Sequence, residues 1–138
     1  MAKERTTTKI LFIDNDEQSF EFRKCMAKVL AGIPPVELFH ANDATEALSM
    51  LEEFSPDVVV VDDDIEDEQE LFMDSLPVNH PPIIMQMTEG KSSAKMAIKE
   101  NVLLLIKKET LEGIHETLTM ASQVANRTPK SSDSAVKH

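Results

Sequence analysis

The sequence holds a single cysteine, Cys25, so it cannot close an internal disulfide, and it has no apolar stretch near the roughly 20 residues needed to cross a bilayer. It also lacks a signal-peptide pattern in Met1–Thr8, and these absences together point to the cytoplasm. Lysine and arginine nowhere cluster strongly, while the formal net charge is −11. That balance argues against direct nucleic-acid binding, because phosphate backbones are held by clustered cations, and it leaves proteins or cations as partners. There is no internal repeat and no long low-complexity segment. What is present is length: 138 residues suffice for one unit with a full core.

Short apolar runs alternate with helical periodicity five times, which is the rhythm of βαβ units and predicts a parallel sheet. Strands are expected at Lys9–Asp14, Val36–His40, Asp57–Val61, Ile83–Thr88 and Val102–Ile106. The third is apolar at four successive positions, Val58 to Val61, which predicts burial on both faces and a central place in the sheet. A helix from about Glu17 carries Phe22, Met26, Val29 and Leu30 at helical spacing, with Cys25 read as a packing residue, and Gly32 with Pro34 and Pro35 stops it. Asp43 and Glu46 form a capping box for a second helix that buries Ala44, Ala47, Leu48 and Leu51. A modest helix over Leu71–Leu76, a short one carrying Ala94, Ala97 and Ile98, and a final one burying Leu111, Ile114, Leu118, Ala121 and Ala125 complete the pattern. Residues 1–8 read as a tail, 9–126 as the domain, and 127–138 as a disordered tail or the stub of a linker.

Two of the strands end in acids, Ile10 to Ile13 running into Asp14-Asn15-Asp16 and Val58 to Val61 running into Asp62-Asp63-Asp64. Ligands bind at the C-terminal edge of an open parallel sheet, so these carboxylates would share one pocket with Thr88 and Lys107 from the ends of the fourth and fifth strands. Two carboxylates about 4 Å apart repel by about 4 kcal/mol at intermediate dielectric, so such a pocket needs a counter-cation. Mg²⁺, which takes oxygen ligands and commonly joins carboxylates to phosphate, suits this inventory. A carboxylate in that setting can also accept a phosphoryl group, with Lys107 neutralising the phosphoryl oxygens and Thr88 donating a hydrogen bond. His40, His80, His115 and His138 lack ligand spacing and receive no role; His115 is expected to face solvent.

From Lys9 to about Asn126 the residues resemble the CheY-like receiver domain of two-component response regulators. The resemblance lies in the acid after the first strand (Asp14-Asn15), the aspartate ending the third (Asp62), the hydroxyl ending the fourth (Thr88) and the lysine ending the fifth (Lys107). It implies a single flavodoxin-like doubly wound (βα)5 domain with strand order 2-1-3-4-5 and a shortened fourth helix. It also implies transfer of a phosphoryl group to Asp62 from a histidine kinase or phosphotransfer protein, with Mg²⁺ held by Asp14, Asn15, Asp62 and the main-chain carbonyl of Asp64. The phosphorylated state would then switch binding to a downstream protein target, with at most slow self-dephosphorylation, and a homodimer through the helix 4–strand 5–helix 5 face stays open.

Departures from the family pattern fall on its working parts: Asn15 for the second acid, Glu89 after Thr88, Leu104 where an aromatic often sits, and Lys108 in place of proline. They motivate an alternative, a degenerate receiver used as a phosphorylation-independent interaction module. A lesser alternative is a haloacid-dehalogenase-like phosphatase, since Asp14-Asn15-Asp16 and Asp62-Asp63-Asp64 fit its short Asp-x-Asp signature. It would need Asp16 for turnover, and the second acidic pair such enzymes carry after the lysine is missing.

Overall fold

The computed structural model describes residues 7–62, 71–77, 79–88, 102–107 and 110–127. Its elements are β1 (Thr8–Ile13), α1 (Glu17–Val29), β2 (Val36–Ala41), α2 (Ala44–Phe54), β3 (Val58–Asp62), β4 (Ile83–Thr88), β5 (Val102–Lys107) and α3 (Leu111–Arg127). Residues 71–74 add one helical turn between β3 and β4. The five strands form one sheet in the order β2-β1-β3-β4-β5, and every neighbouring pair is parallel. This is the flavodoxin-like arrangement expected from the sequence.

The two-residue pleat divides the core cleanly. Odd-numbered side chains of the central strands, Leu11, Ile13, Val59, Val61, Ile83 and Met85, pack with Ala44 and Ala47 of α2 and with Phe72. Even-numbered ones, Ile10, Phe12, Val58, Val60 and Ile84, pack with Phe20 of α1 and with Leu118 and Ala121 of α3. The unbroken valine run of β3 is therefore buried on both faces, as its composition predicts. Each such fully buried Val or Ile contributes about 1.5–3 kcal/mol relative to exposure.

Helix α2 begins as expected: Asp43 accepts from Glu46 N–H at 2.8 Å, and Glu46 reaches back to Asn42 N–H at 2.9 Å. A cap of this kind is worth about 1 kcal/mol. Helix α1 departs from expectation. Phe22 is 50% exposed and Val29 68% exposed, whereas the inward positions are Phe20, Arg23 and Ala27. Cys25, expected to pack, is exposed. The chain leaves α1 through Gly32, whose φ of 84° is a left-handed conformation that side chains with a Cβ rarely adopt.

On α3, Leu118 and Ala121 are buried as expected, but Leu111 is 50% exposed at the first turn. His115, expected to face solvent, is half-buried, and its Nε2 lies 3.0 Å from the Ala31 carbonyl oxygen. A polar contact crosses the apolar interface between sheet and helix, where Gln86 Nε2 donates to Thr117 Oγ1 at 3.0 Å. The expected short helix over Ala94–Ile98 and the tail from 128 onward lie outside the described residues.

Candidate functional site

Parallel pairing of β1 with β3 places Ile13 beside Val61, so the next residues along, Asp14 and Asp62, emerge side by side at the C-terminal edge of the sheet. Both are almost fully buried, at 1% and 2% exposure. Two buried acids in such proximity require compensation, and the expected partner was a divalent cation. The chain itself supplies one: Arg23, from the second turn of α1, places Nη1 2.9 Å from Asp14 Oδ2 and Nη2 3.6 Å from Asp62 Oδ2.

Three features deliver that guanidinium. Asp16 caps α1 by accepting from the N–H groups of Gln18 and Ser19 and from the Ser19 hydroxyl, which fixes where the helix starts. Those hydrogen bonds, the one from the Ser19 side chain foremost, hold the exposed Asp16 carboxyl below the usual carboxylate range. Phe20, one turn before Arg23, is buried against Phe12. The Arg23 Cζ then lies 4.8 Å from the centroid of the Phe12 ring, a cation–π contact that offsets part of the desolvation of the charge.

The remaining oxygen of Asp14 is also engaged. Oδ1 accepts from Asp16 N–H at 3.0 Å and from His40 Nε2 at 2.9 Å, and the same Nε2 lies 3.1 Å from the Asp14 carbonyl oxygen. Both neighbours of Nε2 are acceptors, so this nitrogen carries the proton. His40, near the end of β2, is held by stacking on Phe20, with ring centroids 4.7 Å apart and planes 14° from parallel. Among the described residues, the rim thus brings together two acids, a guanidinium and an imidazole from the ends of β1 and β3, from α1 and from β2.

Of the other residues expected here, Asn15 is exposed. Thr88 and Lys107 end β4 and β5 directly opposite one another in register, and Asp62 pairs with Gln86, two residues before Thr88. Asp64, Glu89 and Lys108 lie outside the described residues. Magnesium needs oxygens open to it at about 2.0–2.1 Å in near-octahedral array. The oxygens are of the right chemistry, but both of Asp14's are engaged and a guanidinium stands between the two carboxylates. As this chain arranges them, these donors do not form an open seat for the ion.

Arg23 and His40 were missed in the sequence because each alone reads as a solvated residue. The available signal was the spacing of Phe20, Arg23 and Ala27 at i, i+3 and i+7, a cation within an apolar stripe, which burial tolerates only opposite an acid.

A cleft of about 780 Å³ lies at the opposite end of the sheet, lined by Leu48, Leu51, Pro56, Pro82 and neighbours. It holds none of the residues expected at the site.

No family model and no curated protein matches the sequence. Solved structures do match in fold. The chemotaxis response regulator CheY4 of Vibrio cholerae is 24% identical over 86% of this chain and 99% of its own, with a TM-score of 0.62. A response regulator receiver domain protein from Clostridium thermocellum is 23% identical over 87% of this chain and 95% of its own, with a TM-score of 0.58. The lysine decarboxylase LdcF of Francisella novicida is 16% identical and covers 88% of this chain but only 18% of its own length, with a TM-score of 0.58. The likeness is therefore one of fold, to receiver domains and also to one part of an enzyme, so function has to be argued from the rim. Among the described residues, no helix is long and apolar enough to cross a membrane.

Proposed function

We propose that the chain is a receiver-type signalling module that acts by docking to proteins, with Asp62 as the acceptor of a phosphoryl group from a histidine kinase or phosphotransfer protein. The observation that carries this is the burial of Asp62 at the C-terminal end of the central strand, beside Asp14 and facing a fixed positive charge on Arg23. The register match of Thr88 with Lys107 on the neighbouring strand ends supports it further. In the transfer, a carboxylate oxygen of Asp62 attacks phosphorus, the bond from phosphorus to the donor's imidazole nitrogen breaks, and an acyl phosphate forms. The added charge then biases a two-state equilibrium that a downstream protein reads by differential affinity. The chain is a switch that is set and reset, not a turnover enzyme.

The test is incubation with a small acyl or amido phosphate followed by intact mass measurement. One added phosphoryl group, absent in Asp62→Asn, is the expected result. No Asp62-dependent adduct in the presence or absence of Mg²⁺ would overturn it.

A second reading is a receiver-shaped interaction module that works without phosphorylation. The specific observation favouring it is that both oxygens of Asp14 are already engaged, by Arg23 and by His40, with Asn15 replacing a second acid. Absence of both the adduct and any spectral response to beryllofluoride would select it.

A further inference from the structure

The Asp14–Asp62 pair is bridged in the manner of a metal site, with one ligating nitrogen turned to each carboxylate: Nη1 at 2.9 Å from Asp14 and Nη2 at 3.6 Å from Asp62. The Arg23 side chain is only 10% exposed and lies over the Phe12 ring, so it does not merely skim the surface of the pocket. His40 takes the other oxygen of Asp14 and is itself stacked on Phe20, which removes the second coordination position a divalent ion would use. We propose that the Arg23 guanidinium is the resident cation of this pocket, standing in place of a divalent metal, and that a metal site exists here only in latent form, opened when Arg23 is removed.

The physical basis is competition between a tethered and a free cation. A guanidinium is charged at every accessible pH, is weakly hydrated, and presents a planar fork that meets two acids at once. Magnesium holds its waters strongly and must shed some of them to enter. The tether also gives Arg23 an effective concentration at or above the millimolar range, comparable to or exceeding that of free ion. The inference stands on this geometry whether or not Asp62 accepts a phosphoryl group, and its test reads metal occupancy alone.

Mn²⁺ serves as the probe, because its electron paramagnetic resonance signal falls as the free ion is bound. The full chain is titrated alongside Arg23→Gln, Arg23→Lys and Arg23→Gln/Asp62→Asn. Wild type is expected to show no saturable binding up to about 10 mM, while Arg23→Gln binds at least about tenfold tighter, a gain lost again in the double variant. Mg²⁺ is expected to raise the melting temperature of Arg23→Gln and leave that of wild type unmoved, since only a species that binds the ion in its folded state is stabilised by it.

Arg23→Lys keeps the charge but loses the fork and is expected to fall between the two. Saturable, Asp62-dependent Mn²⁺ binding by wild type at the affinity of Arg23→Gln would overturn the proposal. So would a folded Arg23→Gln that binds no better than wild type. If Arg23→Gln does not fold, wild type and Arg23→Lys still decide: Asp62-dependent binding in wild type refutes the proposal, and its appearance only in Arg23→Lys upholds it.

Discussion

The two ends of the sheet use the same side chain in opposite ways. At the N-terminal edge, Asp57 accepts from Lys9 N–H at 2.9 Å and its own N–H donates to the Lys9 carbonyl at 2.8 Å, while Lys9 Nζ donates to Phe54 O at 3.2 Å. These groups are only partly buried, and the acid's work is to tie the start of β3 to β1. At the C-terminal edge, Asp14 is 1% exposed and faces a guanidinium, an imidazole and a backbone N–H. There the charge cannot be left to water. An acid near water can close a loop with little consequence for anything else, whereas a buried acid dictates what surrounds it.

The sharpest way to break that comparison is to remove one partner at the buried end. Arg23→Ala is expected to lower stability by about 3 kcal/mol, measured by urea unfolding, because it takes the guanidinium away from the buried carboxylate of Asp14. Replacing Arg23 by Met together with Asp14→Asn should cost clearly less than the sum of the single changes, since the double variant leaves no unpaired charge of that pair behind. Additive losses would mean that the two groups do not act as a pair. At the open end, Asp57→Ala is expected to cost only about 1 kcal/mol in the same assay, the usual worth of a hydrogen bond near solvent. A loss equal to that of Arg23→Ala would erase the distinction between the edges.

The smallest expected effect is a pH dependence at the helix cap. The Asp16 carboxyl is held low in the folded chain, so its contribution is present above the unfolded carboxylate pKa and is lost as pH falls through the folded value. Asp16→Asn, which still caps α1 but carries no charge, should flatten that part of the acid limb relative to wild type.

Much of the architecture was legible in the residues. Four successive valines announced a strand covered on both faces, and alternating runs announced the parallel order, because burial on a pleated sheet leaves a direct periodic trace. The convergence of Asp14 and Asp62 was equally legible, since each follows directly on an apolar run. The inward face of α1 was not. Phe22 and Val29 offered one apolar stripe and Phe20 with Ala27 another, and nothing local decides between them. The choice is made by tertiary pairing: the inward stripe is the one that brings Arg23 to the acids at the ends of β1 and β3. His40 was invisible for the same reason, as its ring earns a place only through Phe20 and Asp14 together. The strand-end positions of Thr88 and Lys107 were legible too, and the two residues stand opposite each other in the β4–β5 register.

The bond from Gln86 to Thr117 gives the last helix an index mark. Apolar side chains let a helix slide on a sheet at modest cost, but shifting α3 by one turn, about 5.4 Å, would carry the hydroxyl away and leave a dry amide with nothing to meet. Gln86 is also the direct neighbour of Asp62 across the β3–β4 ladder. The berth of α3 is thereby keyed to the same rung of the sheet that carries the buried Asp62.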